Sequence, residues 1–332
     1  MRKMMFLGMI LGGMAVSGAA LAWGATGHRM IGEEAVRLLP SYMPAFLRTA
    51  GDDVGEYANE PDRWRGAGGV HSERDALHFI NIDDDGLTAA GVTIDHLPAT
   101  REAYAAAVVA KGGDPDQAGY LPYAEVDAYQ QVVKDFAYWR VLSLMETREH
   151  DAVKKAWYHA DRLRREAVIA YDTGLLGHYV GDATQPMHLS IHYNGWGPYP
   201  NPQGFTKAHI HVPLEAAYVA ANIEASDLKA FEPDYVPCTA PVMTCFTTRM
   251  KASFAEVVPL YQLEKDGGFA DGDPRGKAFI AKQLALGATN LRDALIDAWR
   301  DSKNMGVGYP AAPYDDFIAG KVDDPWVVLH GV

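Results

Sequence analysis

Apolar side chains recur every three or four residues over most of the chain, the period that places them on one face of an α-helix. Alternation of apolar and polar residues, which is typical of strands, is scarce. The pattern therefore predicts an all-α fold. The segments with helical spacing are residues 31–47, 99–110, 123–149, 152–180, 214–221, 250–263 and 277–301.

Segments rich in Gly, Pro and Asn separate these helices and predict loops. They cover residues 66–69, 112–119, 192–205 and 267–276, and an irregular tail is expected from residue 304 to 332. No internal repeat is evident. A chain of this length can bury a large core as one domain, so residues 23–332 are interpreted as a single domain.

The first 22 residues have the pattern of a secretory signal peptide. Arg2 and Lys3 supply the charged start, an apolar run covers residues 4–11, and small residues precede the end at Ala22. The run is shorter than the roughly 20 residues that a bilayer-spanning helix needs, which argues against a membrane anchor. We expect cleavage between Ala22 and Trp23 and a secreted or periplasmic protein.

The formal charge is -13, and it becomes -15 without Arg2 and Lys3. This balance excludes a general electrostatic attraction to nucleic acid or to an anionic membrane, so any phosphate must be bound locally, through metal or a few arginines. Cys238 and Cys245 are the two cysteines, and in an exported chain they are expected to form a disulfide. Histidines and carboxylates are then left as the side chains for any metal site.

The segment "HYVGDATQPMH", residues 178–188, is the most informative part of the sequence. His178 and Asp182 are four residues apart, so a helix places an imidazole and a carboxylate on one face, where both can bind one ion. Pro186 then ends the helix, which allows His188 to return to the same cavity. A His–Asp pair at this spacing is common on helices that bind no metal. Whether this pair is a metal site therefore depends on further candidate ligands elsewhere in the chain.

Further candidate ligands lie on both sides of this segment. His211 and Glu215 are again four residues apart, at an apparent helix start, whereas Asp62 and His78 lie upstream, where ordinary hydrogen-bonding roles are the alternative. With His28, the chain offers five histidines and three carboxylates in ligand-like positions. Nitrogen and oxygen ligands without sulfur favour zinc over manganese or iron.

With these motifs the chain resembles the phospholipase C and single-strand nuclease superfamily, whose members are all-α and hold three zinc ions in a cleft. Residues 84–166 contain no segment that matches, and we interpret them as a family-divergent insertion. The resemblance rests on "WGATGH" at 23–28, Asp62, "LHFIN" at 77–81, "HYVGDATQPMH" at 178–188, and the pair His211 and Glu215.

The resemblance implies three zinc sites. The first would use Asp62, His78, His178 and Asp182; the second would use the amino nitrogen and carbonyl oxygen of Trp23, His28, and Asp62 as a bridge; the third would use His188, His211 and Glu215. A free α-amino group has a pKa of about 7.7 to 8, so zinc can displace its proton, and signal-peptide cleavage would create this ligand. Asp62 would act in catalysis by orienting or deprotonating a water that attacks phosphorus.

The spacing of "WGATGH" resembles the single-strand nucleases more than the phospholipases, and it favours an endonuclease for single-stranded DNA or RNA, with 3′-mononucleotides as further candidate substrates. In that family a basic residue contacts the phosphate where this chain has Arg65. Phe79 could stack on a base, although it could equally pack in the core. Asn81 stands where the nucleases have an aspartate that faces the base.

Two alternatives stay open. Glu215 and the "YPNPQGF" segment at residues 199–205 resemble the phospholipases, which predicts activity on phosphatidylcholine-like lipids and binding of phospholipid head groups. An exported zinc-binding protein without catalysis is the third hypothesis, and it predicts closed metal sites. In every case we expect a monomer without a stable protein partner.

Overall fold

The computed structural model describes residues 23–65 and 72–331, and these residues are mainly helical and contain no β-strand. The predicted all-α fold is therefore confirmed. The α-helices of this part of the chain are α1 (Gly24–Arg37), α2 (Ala45–Arg48), α3 (Gly51–Tyr57), α4 (Glu60–Arg63), α5 (Ser72–Asp75), α6 (Arg101–Ala110), α7 (Pro115–Ala118), α8 (Leu121–Arg148), α9 (Ala152–Asp182), α10 (Val219–Asn222), α11 (Ala225–Leu228), α12 (Val242–Phe254), α13 (Val257–Lys265), α14 (Pro274–Asp301), α15 (Tyr314–Ile318) and α16 (Pro325–His330). Turns of 3-10 helix span Ala76–His78, Ile94–His96, Pro186–Leu189 and Lys229–Phe231, and a π-helix spans Pro213–Tyr218.

Helices α8, α9 and α14 form the frame of the molecule, and α1 packs against α9 and α14. The turn between α8 and α9 is short, so the two helices run side by side in opposite directions. Asp151 caps α9, because its side chain accepts hydrogen bonds from the amides of Val153 and Lys154, both at 2.9 Å. The main core lies between these helices, and it places the carboxyl end of α9 in the interior.

Part of the 84–166 stretch belongs to this frame. Val132 and Phe136 of α8 are fully buried in the main core, and Tyr104 of α6 lies in a second apolar cluster with Leu189 and Met250. This second cluster packs the segment after His78 against the end of α9. The stretch without a matching motif therefore supports the walls of the candidate site.

Two predicted helices are divided in the structure. The segment 31–47 contains the end of α1 and the start of α2, with Pro40 and Pro44 between them. The segment 250–263 is split between α12 and α13, because Pro259 has no amide hydrogen and its ring would clash with the carbonyl of Ala255 if α12 continued. Pro259 is tolerated where it is, in the first turn of α13.

The prediction of an irregular tail from residue 304 is wrong. The tail contains α15 and α16, and the Asp324 side chain caps α16 by accepting hydrogen bonds from the amides of Trp326 and Val327. Phe317 and Trp326 pack with Tyr158 of α9 in a third apolar cluster. The predicted loop 112–119 likewise contains α7, and helices α3 to α5 were not predicted.

The predicted disulfide between Cys238 and Cys245 is confirmed, with 5.9 Å between the two Cα atoms. Within residues 23–65 and 72–331, no helix is both long and apolar enough to cross a bilayer. The predicted signal peptide, residues 1–22, and the predicted loop 66–69 lie outside the described residues.

Candidate metal centre

The carboxyl end of α9 places His178 and Asp182 on one face, as their spacing predicts, and both side chains are fully buried. The ring nitrogen Nδ1 of His178 lies 2.7 Å from the carbonyl oxygen of Ala58 and donates a hydrogen bond to it. Its Nε2 atom faces Asp182 Oδ2 at 3.3 Å and His78 Nδ1 at 2.9 Å. This arrangement is the usual one for a metal-binding histidine, because the second nitrogen fixes the orientation of the ring. Burial would lower the pKa of this ring, but Asp182 and Asp62 raise it above its ordinary value.

The first group of candidate ligands converges on this end of α9. His178 Nε2 lies 2.9 Å from His78 Nδ1, and Asp182 Oδ2 lies 3.3 Å and 3.1 Å from these two nitrogens. Asp62 Oδ1 is 4.0 Å and 3.8 Å from the same nitrogens. Ligands at the usual zinc distance on a tetrahedron are about 3.3 Å apart, so the spacing of these nitrogen and oxygen atoms is compatible with ligands of a metal ion.

The second group contains His28 of α1, which is stacked on His178 with 4.0 Å between the ring centroids. His28 Nε2 lies 3.4 Å from Asp182 Oδ1. Gly181 permits this approach, because a Cβ atom there would lie 3.0 Å from His28 Nδ1. Gly181 therefore leaves room for the His28 ring beside the candidate site.

Trp23 lies at the start of α1, beside this group. Its indole is fully buried, and Nε1 donates a hydrogen bond to the carbonyl oxygen of Gly181 at 2.9 Å. Its backbone has φ of 43°, in the left-handed region that non-glycine residues rarely adopt. Such strain is common at functional sites, and the carbonyl oxygen of Trp23 accepts a hydrogen bond from the amide of Gly27 at 3.1 Å, within the first turn of α1.

Asp182 is the carboxylate that the first two groups share. Its Oδ2 atom faces His78 and His178, whereas its Oδ1 atom faces His28. The resemblance implies a bridging role for Asp62, and the contacts of Asp62 in the structure are with His78, His178 and Arg65. Asp182 therefore faces the histidines of both groups, whereas the bridging role of Asp62 stays a prediction.

The third group consists of His188, His211 and Glu215. Glu215 Oε1 lies 3.3 Å from His188 Nε2 and also contacts His211 Nε2. His188 Nδ1 donates to the carbonyl oxygen of His78 at 2.6 Å, which leaves Nε2 available to a metal. His211 and Glu215 are brought together by the π-helical turn Pro213–Tyr218. Turns of this type occur frequently at functional sites.

Among the described residues, the ligand atoms that lie within 4.8 Å of one another form three groups, of which the first two have His178 in common: Asp62, His78 and His178; His28, His178 and Asp182; and His188, His211 and Glu215. Several of their buried polar atoms have no hydrogen-bond partner, and each such atom costs about 1–3 kcal/mol when it stays unsatisfied. Bound cations would satisfy them. The unsatisfied atoms are His28 Nδ1 and Nε2, Asp62 Oδ1, His78 Nε2, Asp182 Oδ1, His188 Nε2, His211 Nδ1 and Glu215 Oε2.

The buried carboxyls keep their negative charge at neutral pH. Burial alone would raise the pKa of Asp182, but His178 and His188 hold that pKa well below its ordinary value. Burial would also raise the pKa of Glu215, and His211 and His188 outweigh it, so this pKa is lowered too. Two carboxylates are therefore available to neutralise bound cations.

The histidines divide into two kinds. Burial lowers the pKa of His78 to about 4 and also lowers the pKa of His28, which keeps both rings neutral and ready to bind metal. Burial would lower the pKa of His188 as well, but Asp182 and Glu215 raise it to about 9. Metal binding at the third group must therefore displace a proton from His188, and it becomes weaker as the pH falls.

A cavity of about 510 Å³ opens beside these groups and is lined by His188 and His211. The predicted substrate residues Arg65, Phe79 and Asn81 line the same cavity. Arg65 Nη1 lies 3.5 Å from Asp62 Oδ1. The side-chain nitrogen Nδ2 of Asn81 donates a hydrogen bond to the backbone carbonyl oxygen of Gln117 at 2.8 Å. The buried Oδ1 atom of Asn81 has no hydrogen-bond partner, so it can accept one from a ligand.

Some residues of the cavity wall were not predicted. Tyr193 and Asn194 line the cavity from the loop after His188, and Tyr193 is 54% exposed. The side chain oxygen of Asn194 accepts a hydrogen bond from the amide of His211 at 3.2 Å, so the loop also supports a candidate ligand. The sequence signal was the Gly- and Asn-rich "HYNGWG", which predicts a loop but not where it folds.

Comparison with protein-family models and with curated proteins finds no match to this chain. The fold and the site thus define an all-α protein with three buried groups of histidine and carboxylate ligands that could hold metal ions. Membership of the phospholipase C and single-strand nuclease superfamily stays a proposal from the sequence motifs.

Proposed function

We propose that this chain is an exported zinc-dependent phosphodiesterase that hydrolyses single-stranded DNA or RNA. One observation carries the proposal: three groups of nitrogen and oxygen ligands meet in the interior, next to one cavity with an arginine and aromatic side chains in its wall. Such mixed ligand sets beside an open cavity are typical of hydrolytic zinc sites. The disulfide agrees with export to an oxidising compartment.

Three zinc ions are proposed, one for each group. When bound, zinc lowers the pKa of water to about 7 and neutralises negative charge on a phosphate group. Asp182 would be shared by the first two groups, and Trp23 would add its amino nitrogen and carbonyl oxygen to His28 in the second. The donor set agrees with zinc because it contains imidazole and carboxylate groups and no thiolate.

The remaining chemistry comes from the side chains around the cavity. Arg65 is 12% exposed and lies over Asp62, where its guanidinium can donate to the phosphate oxygens of a substrate. Asp62 can orient the attacking water or accept its proton, since its Oδ1 atom has no hydrogen-bond partner. Phe79 and Asn81 can hold a base, one by stacking and the other by accepting a hydrogen bond.

A phospholipase C is the second candidate, and one observation favours it. Asp75, Asp114 and Asp116 also line the cavity, and together with Tyr193 they would suit the quaternary ammonium group of choline. The Oδ1 atom of Asn81 favours a nucleobase instead, because choline has no N–H group to donate to it. We therefore place nucleic acid first.

The experiment that tests the function uses the mature protein, beginning at Trp23 and loaded with zinc. It compares hydrolysis of single-stranded DNA, RNA and phosphatidylcholine micelles, and it measures zinc per chain by elemental analysis. We expect about three zinc ions and cleavage of nucleic acid; the variant His209→Ala, which changes an exposed histidine outside the three groups, serves as the control. Cleavage of lipid alone would overturn the nuclease proposal, and at most one zinc per chain would overturn the metal centre.

A further inference from the structure

Trp64 and Arg74 form a cation–π pair, and each is next in sequence to a residue that lines the cavity. Trp64 follows helix α4 and is 39% exposed, and the guanidinium carbon of Arg74 lies 4.8 Å from the centroid of its ring. The two residues belong to different segments, since Arg74 lies in α5. The pair is therefore a tertiary feature and does not follow from local sequence.

The neighbours of the pair connect it to the candidate site. Arg65 directly follows Trp64, and Asp75 directly follows Arg74, and both of these residues line the cavity. Helix α4 also carries the candidate ligand Asp62. The Trp64–Arg74 pair is thus joined by the backbone to two residues of the cavity wall and to the element that carries Asp62.

The charge at this place differs from that of the chain as a whole. The formal net charge is -13, yet no acidic side chain of the described residues forms an ion pair with Arg74. Arg63, in contrast, is paired with Glu60 and Glu56. Arg74 therefore retains N–H donors for an anionic ligand while its plane rests on an indole ring.

We propose that the Trp64–Arg74 pair is a second nucleotide subsite, in which the indole stacks on a base and Arg74 binds a phosphate of the strand that leaves the cavity. This inference rests on the proposed nuclease function and extends it from one nucleotide to a strand. Single-stranded nucleic acid offers both groups at short spacing, and such binding combines stacking platforms with cationic side chains. A lipid surface suits the pair less well, because Glu60, Arg63 and Arg74 place charges around one exposed indole.

The test compares a long and a short substrate of the zinc-loaded mature protein. The long substrate is a single-stranded octanucleotide, and the short one is the p-nitrophenyl ester of thymidine 5′-monophosphate, which has one nucleoside. For Trp64→Ala we expect kcat/KM to fall roughly tenfold on the octanucleotide, as the loss of one stacked base predicts, with little change on the ester. Trp64→Phe should recover most of the loss, because it restores an aromatic face.

Arg74→Ala provides an independent measurement. If Arg74 binds one phosphate, the slope of the logarithm of octanucleotide affinity against the logarithm of salt concentration should become less steep by about 0.7. Arg74→Lys should retain the slope, since it keeps the charge. The matched control is Lys154→Ala, which removes a cation 5.5 Å from the ring centroid of Trp326, in a different part of the surface. This variant should change neither the affinity for the octanucleotide nor kcat/KM on either substrate.

Each outcome decides a separate question. Equal loss on both substrates, or no loss on the octanucleotide, would overturn the second subsite while the nuclease function stands. A wild-type protein that hydrolyses neither nucleotide substrate would overturn the function and the subsite together. If wild type cleaves phosphatidylcholine vesicles and Trp64→Ala loses vesicle binding, the pair contacts lipid and our inference is wrong. Zinc content and circular dichroism of each variant show whether the fold and the metal centre are intact.

Discussion

Asp172 and Asp182 of helix α9 are ten residues apart, and the pKa values of their carboxyl groups shift in opposite directions. Asp182, at the carboxyl end, has a pKa well below its ordinary value, because His178 and His188 outweigh the effect of burial. The pKa of Asp172, in the middle of the helix, is raised to about 7 by burial and by the neighbouring Asp135. The same residue type on one helix is therefore held ionised in one place and close to neutral in the other.

An arginine accompanies the carboxylates in both regions. Arg65 lies 3.5 Å from Asp62 beside the metal centre, and Arg165 lies 2.6 Å from Asp135 beside Asp172. The difference lies in the imidazoles, which surround Asp182 and are not among the charges that shift Asp172. Burial of a carboxylate is thus compatible with either role, and the neighbouring nitrogen ligands are what distinguish a metal site from a structural pair.

The largest expected effect comes from removing the ligands at the end of α9. The double variant His178→Ala, Asp182→Ala should lower turnover by more than about a thousandfold and release zinc, because it removes ligands of two groups. Elemental analysis and a nuclease assay measure both quantities. The control Asp172→Ala should keep its zinc. A double variant that retains three zinc ions would contradict the assignment of His178 and Asp182 as zinc ligands, and with it the functional difference between Asp182 and Asp172.

Arg65→Ala should lower turnover by about 100-fold, since it removes a charged donor to the phosphate, while the zinc content stays the same. Steady-state kinetics and elemental analysis check the two parts. The matched variant Arg165→Ala removes the arginine of the other region and should lower stability without lowering kcat. An unaltered rate for Arg65→Ala would contradict a role of this arginine in binding the phosphate.

The position of signal-peptide cleavage should have the next largest effect. A protein that begins at Ala22 has an amide in place of the amino group of Trp23, so it should lose about one zinc per chain and at least about tenfold in activity. Edman sequencing or mass spectrometry defines the first residue of each form. Full activity of the extended form would remove Trp23 from the ligand set, although His28 would stay beside Asp182.

The smallest expected effect concerns Asp172 and pH. Its pKa is raised in the folded protein to about 7, above the unfolded value near 4, so the folded state binds the proton more tightly, and the contribution of this group to stability falls as the pH rises from about 4 to about 7. Asp172→Asn has no carboxyl group at this position, so its stability does not fall through ionisation there as the pH rises. Relative to wild type, its melting temperature should be higher at pH 8 than at pH 4 by about 2 °C. A difference that does not depend on pH would refute the raised pKa.

Much of the helical frame could be predicted from the sequence. The predicted segments 152–180 and 277–301 match α9 and α14 to within a few residues, because long amphipathic patterns are strong local signals. Helix α16 was missed, since it has six residues and its partly buried Trp326 packs against Trp157 and Tyr158, which are far away in the chain. Short helices of this kind depend on tertiary packing more than on their own pattern.

The candidate site divides in the same way. His178 with Asp182, and His211 with Glu215, could be identified as pairs because a helical turn places residues four apart on one face. The shared position of Asp182 could not, since His28, His78 and His178 come from three separate elements and the two carboxylate oxygens face different rings. Asn194 and the Trp64–Arg74 pair were missed for the same reason, because each joins segments that the sequence keeps apart.

The sequence by itself determined the helical class, the disulfide, and the residues that supply nitrogen and oxygen ligands, because these depend on composition and on spacing within a few turns. Only the tertiary structure decided which ligands meet, which carboxylate is shared, and which side chains form the cavity. The physical reason is that these contacts join residues as far apart as His28 and Asp182, and they form only when α1 packs against α9 and closes the chain between them.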